Sequence, residues 1–331
     1  MRIAIIKLSA MGDIIHAMVA LEFIKAKHPQ ALIDWVVEAN FVEILKYNPH
    51  IHNILPLNLK SIKQNKTNLF AQIKCIRSYA KNNYDVVIDA QGLLKSAITA
   101  KLIANKHSTI VGFDKSSIRE KIANHFYDQH VHIPYHENTI ERNAKVLCEH
   151  FDITPTEQMI IDKKAFLFYR STESLKIYGE YILFVIGSTW EARNYPKEQF
   201  VQVANSLQRP TYISWGSEEE YQKALWMEKQ SQYIKALPKT NLNGLKDLIA
   251  NARLLIGNDT GPTHMAWGLN VPSITLFGCT PINRIYITPI NKALKSKSVV
   301  NHYNLDKNDF SIQEITPQQV VELALELLRE L

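Results

Sequence analysis

The chain has 331 residues, of which 46% are hydrophobic and 21% are charged. It is long for a single α/β unit, so its length predicts two domains. The formal net charge of +6 suits partners that carry phosphates or form an anionic surface, although many basic proteins simply have a lysine-rich surface. The three cysteines include no Cys-x-x-Cys pair. Their pattern argues against a disulfide framework or a Cys-based zinc site and is typical of a reducing cytoplasm.

The first half of the chain alternates apolar strand patterns with helical periods. The N-terminus is mildly apolar, but Lys7, Asp13 and His16 interrupt it, so we interpret it as strand, loop and helix rather than a signal peptide. No apolar run is long enough to span a membrane. The predicted strands cover residues 3–8, 32–37, 54–57, 85–88 and 109–112, and the predicted helices cover 14–24, 69–80 and 92–103.

The second half repeats this alternation after a less regular stretch at residues 152–178. Its predicted strands cover 181–185, 211–214, 254–256 and 273–277, and its predicted helices cover 197–207, 242–252, 260–268 and 320–331, with one more helix starting at 218–220. Alternation of this kind indicates βαβ units and a parallel sheet. We therefore predict an α/β fold with domains at residues 1–160 and 161–315. The apolar helix at 316–331 is expected to pack back on the first domain.

Ligands of open α/β sheets bind beyond the carboxyl ends of the strands, which directs attention to three loops. The first loop is Ser-Ala-Met-Gly-Asp at residues 9–13. Gly12 permits close approach of the backbone to a ligand. Asp13 opens the following helix, where aspartate commonly acts as a cap. The alternative role for Asp13 is that of a general base.

The second loop is Gly-Ser-Thr-Trp-Glu-Ala-Arg at residues 187–193. The amides and hydroxyls of Ser188 and Thr189 are suited to phosphate oxygens, and Arg193 adds a charged donor. An ordinary polar loop with a surface arginine is an equally good interpretation of this stretch taken alone.

The third loop is Gly-Asn-Asp-Thr-Gly-Pro-Thr-His at residues 257–264, between a predicted strand and a predicted helix. The helix amides at Thr260 and Gly261 are suited to a diphosphate. Asp259 would repel phosphate and is better suited to holding a hydroxyl or orienting the loop. His264 either faces the phosphates or is a structural histidine.

Several sequence motifs are absent. The chain has no Gly-x-Gly-x-x-Gly, no P-loop and no Gly-x-Ser-x-Gly, which disfavours nicotinamide dehydrogenases, P-loop kinases and enzymes with a nucleophile elbow. It also has no Asp-x-Asp. His130, His132 and His136 lack an accompanying Cys or carboxylate at a typical ligand spacing. We therefore predict no metal site and no cofactor.

At the three loops the sequence resembles the ADP-heptose:lipopolysaccharide heptosyltransferases, and within that family most closely the type I enzymes (heptosyltransferase I). The resemblance covers most of the chain. Its marks are IKLSAMGDIIHAMVAL near the N-terminus, DWVVE at 34–38, YDVVIDAQGLLKS at 84–96, WG followed by acids at 215–220, and GNDTGPTHMAWGL at 257–269. The last is the most specific, since family members carry an Asp-Thr-Gly-x-x-His block in the donor domain.

This resemblance implies a GT-B architecture, in which two Rossmann-like domains face each other across a cleft. It implies an inverting, metal-independent glycosyltransferase that moves L-glycero-D-manno-heptose from ADP-L-glycero-β-D-manno-heptose to a Kdo residue of the lipopolysaccharide inner core. The acceptor would be Kdo-lipid A. The protein is therefore expected to be cytoplasmic and peripheral on the anionic cytoplasmic face of the inner membrane, with no nucleic-acid partner.

The resemblance also implies roles for individual residues. Asp13 matches the general base. Arg193 stands where type I enzymes usually carry a lysine that stabilises the leaving diphosphate, so either Arg193 takes this role or the loop register differs; arginine is planar and bidentate where lysine is not. The implied donor-binding residues are Ser188, Thr189, Glu220, Asp259, Thr260, Gly261 and His264, with Glu218 and Glu219 as alternatives to Glu220. The implied acceptor-binding residues are Gly12, Lys60, Lys63, Gln91 and Arg119.

Other functions stay open at this point. A heptosyltransferase II or III would act on a core that already carries heptose. A sugar-nucleotide epimerase of similar fold would act on the donor alone. A binding protein for a nucleotide or an anionic glycolipid would turn nothing over.

Overall fold

The chain folds into two compact units, which meet in sequence between Phe168 and Tyr169. In a computed structural model, residues 1–171, 177–302 and 304–329 are described, without the side chain of Lys63. The boundary predicted at residue 160 falls eight residues before this division.

The first unit is built on a six-stranded sheet whose neighbouring strands all pair in parallel. Its strands are β1 (Arg2–Ile6), β2 (Leu32–Glu38), β3 (Asn53–Leu57), β4 (Val86–Asp89), β5 (Thr109–Phe113) and β6 (Gln129–Val131). Its helices are α1 (Met11–Met18), α2 (Ala20–Lys27), α3 (Val42–Leu45), α4 (Ser61–Gln64), α5 (Asn68–Tyr79), α6 (Leu94–Ile103), α7 (Thr139–Cys148) and α8 (Glu157–Ile161). The strand order β3-β2-β1-β4-β5-β6 is that of a Rossmann fold.

A buried carboxylate fastens the amino-terminal edge of this sheet. Asp34 is fully buried in β2 and accepts hydrogen bonds from the Tyr84 hydroxyl at 2.7 Å and the Arg2 guanidinium at 3.0 Å. Burial raises the pKa of Asp34, but these donors and His52 outweigh it and hold the pKa below its ordinary value. Asp34 therefore joins β1, β2 and the start of β4, at the edge opposite the predicted site loops.

The second unit repeats the arrangement with a second parallel sheet. Its strands are β7 (Ile182–Val185), β8 (Thr211–Ser214), β9 (Ile234–Ala236), β10 (Leu254–Asn258), β11 (Ser273–Phe277) and β12 (Asn291–Lys295). Its helices are α9 (Lys197–Leu207), α10 (Glu218–Gln230), α11 (Leu242–Ala250), α12 (Gly261–Gly268) and α13 (Pro317–Arg329). The order β12-β11-β10-β7-β8-β9 is again the Rossmann order, so the predicted α/β class with two Rossmann-like halves is confirmed.

The apolar stripe of the final helix packs within the second unit, and its packing on the first domain stays an expectation from the sequence. The helix starts with a capping box, in which the Thr316 amide donates to Gln319 Oε1 at 2.8 Å. Helix α13 lies against α9, and Val320, Ala324 and Leu327 belong to the same buried cluster as residues of α9 and β10. The i, i+4, i+7 spacing gives one apolar stripe, which the second unit itself covers.

We predict that Leu327→Ala lowers the free energy of unfolding of the second unit by about 2–5 kcal/mol, because Leu327 is 1% exposed and its truncation leaves a cavity. The neighbouring exposed position supplies the control, since Glu326→Ala removes no packing. Thermal and denaturant unfolding of both variants measures the difference. Equal stabilities would show that α13 is not part of the core.

Candidate active site

In the first unit, the loop after β1 leads into α1 at the carboxyl edge of the sheet. Asp13 is the third residue of α1, and its Oδ2 accepts a hydrogen bond from the Ala10 amide at 3.1 Å. Gly12 lies in the same helical turn, and both residues are partly exposed. The Asp13 carboxylate therefore caps the helix, which is one of the two roles considered for it, and this cap uses only one of its oxygens.

Gln91 holds the same loop from the end of the neighbouring strand β4. Its side-chain oxygen accepts hydrogen bonds from the amides of Leu8 and Ser9, at 3.0 Å each. The backbone amide of Gln91 in turn donates to the buried carboxylate of Asp89 at 2.9 Å. That carboxylate also accepts a hydrogen bond from the Tyr127 hydroxyl at 2.8 Å. The loops after β1 and β4 thus form one hydrogen-bonded assembly.

Lys7 is buried behind this assembly and is not among the residues predicted from the sequence. Its ammonium donates to the carbonyl oxygen of Ala90 at 2.7 Å. Burial lowers the pKa of Lys7, and the nearby carboxylates of Asp13 and Asp89 oppose that shift. Lys7 thus lies close to the predicted base, at the carboxyl edge of the sheet. The available signal was a lysine at the end of an otherwise apolar strand.

Glu38 ends β2 beside the same loop, where its amide donates to the Leu8 carbonyl oxygen at 3.2 Å. Its side chain is 2% exposed, and no described residue gives Oε1 a hydrogen-bond partner. Burial raises the pKa of Glu38, and the charges of Lys95 and Lys60 offset part of this effect. A buried carboxylate oxygen without a partner is costly to a fold. Glu38 is therefore a candidate ligand-binding residue, although the sequence did not single it out.

The remaining acceptor-side residues lie in other loops at this edge. Lys60 is exposed just before α4, after the end of β3. Arg119 is exposed after the end of β5 and precedes Glu120, whose carboxylate accepts a hydrogen bond from the Leu94 amide at 2.7 Å. The side chain of Lys63 lies outside the described part of the structure. Lys60 and Arg119 thus follow strands whose carboxyl ends share the edge that carries the predicted base.

In the second unit, the second and third predicted loops meet in a buried ion pair. Arg193 donates to Asp259 Oδ2 at 2.9 Å, and His264 Nε2 lies 3.1 Å from Asp259 Oδ1. Burial raises the pKa of Asp259, but the Arg193 charge and the His264 hydrogen bond outweigh it and hold the pKa well below its ordinary value. The guanidinium carbon of Arg193 also lies 5.6 Å from the centre of the Trp190 ring, a stacking contact that suits a planar cation better than lysine.

Asn258 ties the same two loops together and is a further residue not predicted from the sequence. It is fully buried at the end of β10. Its side-chain amide donates to the Ile186 carbonyl oxygen at 2.8 Å, and its oxygen accepts from the Tyr195 amide at 3.0 Å. A polar residue ending an apolar strand was its signal.

Glu220 is the acid that faces the loop after β7. Its Oε2 accepts a hydrogen bond from the Gly216 amide at 2.7 Å, and a β-carbon placed on Gly187 would lie 2.0 Å from Oε1. A side chain at position 187 would therefore displace this carboxylate. Glu219 instead pairs with Lys223 at 2.9 Å. Of the two acids, Glu220 therefore lies nearer the predicted donor loops.

The N-terminus of α12 completes this group. Thr260 precedes the helix and Gly261 begins it, and both are partly exposed, so first-turn amides there are available to an anion. In the loop after β7, Thr189 is exposed, whereas the Ser188 hydroxyl is buried. Among the residues that the structure describes, neither the Ser188 hydroxyl nor that of fully buried Thr280, which follows β11, has a hydrogen-bond partner.

The histidines of the first unit make local contacts. His132 Nδ1 lies 2.7 Å from Asp114 Oδ2, and His130 Nε2 lies 3.2 Å from the Asn124 carbonyl oxygen. Within residues 1–171, 177–302 and 304–329, no group of three His, Cys, Asp or Glu side chains is arranged to hold a metal ion.

We predict that Arg193→Ala destabilises the second unit by about 3–5 kcal/mol, because it leaves the Asp259 carboxylate buried without its cation. Adding Asp259→Asn to Arg193→Ala should restore much of the lost stability, since the unpaired charge disappears. Chemical denaturation of the two single variants and the double variant measures the coupling. Additive losses would contradict the ion pair.

Glu38 generates a prediction about pH. Burial raises the pKa of Glu38 in the folded state. The carboxylate therefore disfavours folding increasingly as the pH rises from the pKa of the unfolded state through the higher pKa of the folded state. Glu38→Gln should therefore raise the melting temperature at pH 8 by more than at pH 5. Thermal unfolding at both pH values is the measurement, with Glu43→Gln, a partly exposed acid of the same unit, as the control. An equal change at both pH values would contradict the raised pKa.

The chain is similar to known proteins over nearly all of its length. A sequence profile of glycosyltransferase family 9 (heptosyltransferase) matches residues 72–317. Lipopolysaccharide heptosyltransferase 1 of Campylobacter coli is 34% identical, with 99% of each chain covered. Lipopolysaccharide heptosyltransferase 1 of Escherichia coli K12 is 29% identical over 85% of this chain and 88% of that protein. Lipopolysaccharide heptosyltransferase 3 of the same strain is 24% identical, with 96% of each chain covered.

Solved structures agree with this assignment. The structure of E. coli heptosyltransferase WaaC with ADP is 26% identical to this chain, has a TM-score of 0.82, and is matched over 99% of this chain and 100% of that one. WaaC with ADP-2-deoxy-2-fluoro heptose gives a TM-score of 0.80 at 25% identity, over 98% of this chain and 99% of that one. The GT-B fold class and the family predicted from the sequence are thereby confirmed: the chain belongs to glycosyltransferase family 9, the heptosyltransferases.

Proposed function

We propose that this protein transfers L-glycero-D-manno-heptose from ADP-heptose to a Kdo residue of the lipopolysaccharide inner core. The observation that carries the proposal is the ion pair of Arg193 and Asp259, held beside the N-terminus of α12 in a chain 34% identical over its full length to a heptosyltransferase 1. A cation next to a helix N-terminus is suited to a diphosphate that gains charge as it leaves.

On the donor side, the proposed contacts follow from charge. The first-turn amides of α12 and the hydroxyls of Ser188 and Thr189 would hold the diphosphate, with Arg193 neutralising the leaving group. Asp259 uses both oxygens to orient Arg193 and His264. Each carboxylate oxygen can accept a second hydrogen bond, so Asp259 would also hold a heptose hydroxyl. Glu220 would accept hydrogen bonds from the ribose hydroxyls.

On the acceptor side, Asp13 is the proposed base. The Kdo hydroxyl oxygen attacks the anomeric carbon of the heptose, and its proton passes to the Asp13 carboxylate. The bond from that carbon to the β-phosphate oxygen breaks, and ADP leaves with the electron pair. A single displacement of this kind inverts the anomeric configuration. Gly12, Gln91, Lys60, Lys63 and Arg119 are the proposed acceptor-binding residues.

Type I transfer is favoured over the other heptosyltransferases by similarity. The two heptosyltransferases 1 described above are 34% and 29% identical to this chain, against 24% for heptosyltransferase 3. The proposed acceptor is therefore Kdo rather than a core that already carries heptose.

Within the described residues, no helix is both long and apolar enough to cross a membrane. We infer that the protein reaches its lipid-linked acceptor as a peripheral protein on an anionic membrane face.

We predict that Asp13→Asn lowers kcat by about 10²-fold or more, the usual contribution of a general base. Asparagine keeps an oxygen that can accept the hydrogen bond from the Ala10 amide, so the helix cap and the melting temperature should change little. Asp13→Ala, which removes the cap as well, separates the two roles of the side chain. Near-normal turnover by Asp13→Asn would remove Asp13 from the mechanism.

The function itself is tested by incubating the purified protein with ADP-heptose and Kdo2-lipid A, following ADP release and the mass of the lipid. A gain of one heptose with stoichiometric ADP supports type I transfer. Transfer only to a core that already bears heptose would assign type II or III instead. Conversion of the donor without acceptor would indicate an epimerase, and tight ADP binding without product would indicate a binding protein.

A further inference from the structure

Much of the excess positive charge of the chain lies in one segment. Residues 44–84 contain seven of the 38 lysines and arginines and none of the 32 aspartates and glutamates. The rest of the chain therefore carries 31 cations against 32 anions, and is close to neutral. The stretch between α3 and β4 is thus strongly basic, and residues 260–305 likewise carry four cations and no acidic residue.

Part of this charge forms a stripe along α5 and the turn that follows it. Lys74, Arg77 and Lys81 are all exposed, and they follow Phe70 at spacings of four, seven and eleven residues, which bring all four to one side of a helix. Among the described residues, no carboxylate lies within 4.0 Å of any of the three cations. The stripe is about 16 Å long at the helical rise. We call these four residues the α5 face.

The α5 face also has an apolar end. Phe70 is 77% exposed. Leu69, 44% exposed, lies seven residues before buried Ile76 and shares its side of the helix, away from the α5 face. Single exposed apolar residues are common. Here, however, a large aromatic residue begins a stripe of three cations, in a segment that contains no acidic residue.

We propose that the α5 face docks on an anionic phospholipid bilayer, with Phe70 entering the interface and Lys74, Arg77 and Lys81 contacting the headgroups. The pattern is that of an interfacial amphipathic element, in which apolar residues insert and flanking cations hold the anionic surface. A nucleic acid would also attract the cations, but the lipid-linked acceptor of the proposed function favours a bilayer. The inference deepens the proposed function, since it rests on an acceptor that is itself a membrane lipid.

The location of the face suits that acceptor. In a βαβ unit the helix runs antiparallel to its strands, so the start of α5 lies near the carboxyl edge of the first sheet, where β3 ends. Phe70 therefore lies on the side of the unit that carries Lys60 and the proposed base, while Arg77 and Lys81 lie toward the opposite edge. Docking through this face would keep the acceptor loops at the membrane surface.

The proposal is tested by sedimentation of the full-length protein with phosphatidylglycerol-containing vesicles and with phosphatidylcholine vesicles. The wild-type protein should bind the anionic vesicles, and binding should weaken at high salt. Lys74→Ser/Arg77→Ser/Lys81→Ser should weaken binding by about 100-fold, taking the usual contribution of each cation near an anionic surface. Phe70→Ser should weaken it by about tenfold. All eight substituted positions, controls included, are exposed, and melting temperatures check folding.

Matched controls carry the same changes elsewhere. Ile122→Ser replaces another large apolar residue of the first unit, 65% exposed. Lys101→Ser/Lys106→Ser/Lys229→Ser removes three exposed cations. If these controls weaken vesicle binding as much as the α5 variants do, or if the wild-type protein ignores anionic vesicles, the proposal is wrong. Binding to single-stranded nucleic acid without binding to vesicles would also overturn it.

A second assay separates this proposal from the proposed function. With a deacylated, water-soluble Kdo acceptor, the α5 variants should transfer heptose as fast as the wild-type protein, because no substituted residue belongs to the proposed site. Normal soluble transfer with unchanged vesicle binding would refute the α5 face alone. No transfer by the wild-type protein, together with α5-dependent vesicle binding, would refute the heptosyltransferase function alone.

Discussion

Parallel strand pairing is the constraint on which both halves of this protein depend. In a sheet whose strands all run in one direction, every carboxyl end lies at the same edge, and the loops that follow neighbouring strands must meet there. In the first unit this brings the loop after β1 against Gln91 after β4. In the second it brings Arg193, after β7, against Asp259, after β10. Residues about 70 to 80 positions apart in the chain thus become neighbours without any long-range motif in the sequence.

The buried carboxylates at these two edges differ in how fully their charge is paired. Asp259 is matched by a cation and by His264, so its ionised form is stabilised and the pair fixes the geometry of both loops. Glu38 is only partly offset by lysine charges, and one of its oxygens has no partner among the described residues. A fold tolerates such a group when something else requires it. The matched pair is complete within its own unit, whereas Glu38 is the group that a bound hydroxyl or amine would satisfy.

Most of the fold could be predicted from the sequence, because central parallel strands are continuous apolar runs and their helices have a clear period. The strands that escaped prediction are β6, β9 and β12, with sequences QHV, IKA and NKALK. All three are outermost strands of their sheets, where one edge of the strand has no neighbouring strand and polar residues are tolerated. The packing of α13 against α9 was also not predicted, because an apolar stripe indicates that a helix is covered but not which element covers it.

The site was predictable to the extent that its residues lie in loops with recognisable composition. Arg193, Asp259 and His264 come from two such loops, and their contact needed the structure only for its geometry. Three residues that the sequence did not single out lie at strand ends: Lys7, Glu38 and Asn258. A single polar residue that follows an apolar run is easily interpreted as no more than the end of the strand. Their common feature is a charged or amide side chain that remains buried at the carboxyl edge. Because burying such a group is costly unless it is paired, a polar residue closing an apolar parallel strand identifies a position that organises the loops around it, and a sequence alone can locate it once the strand direction is known.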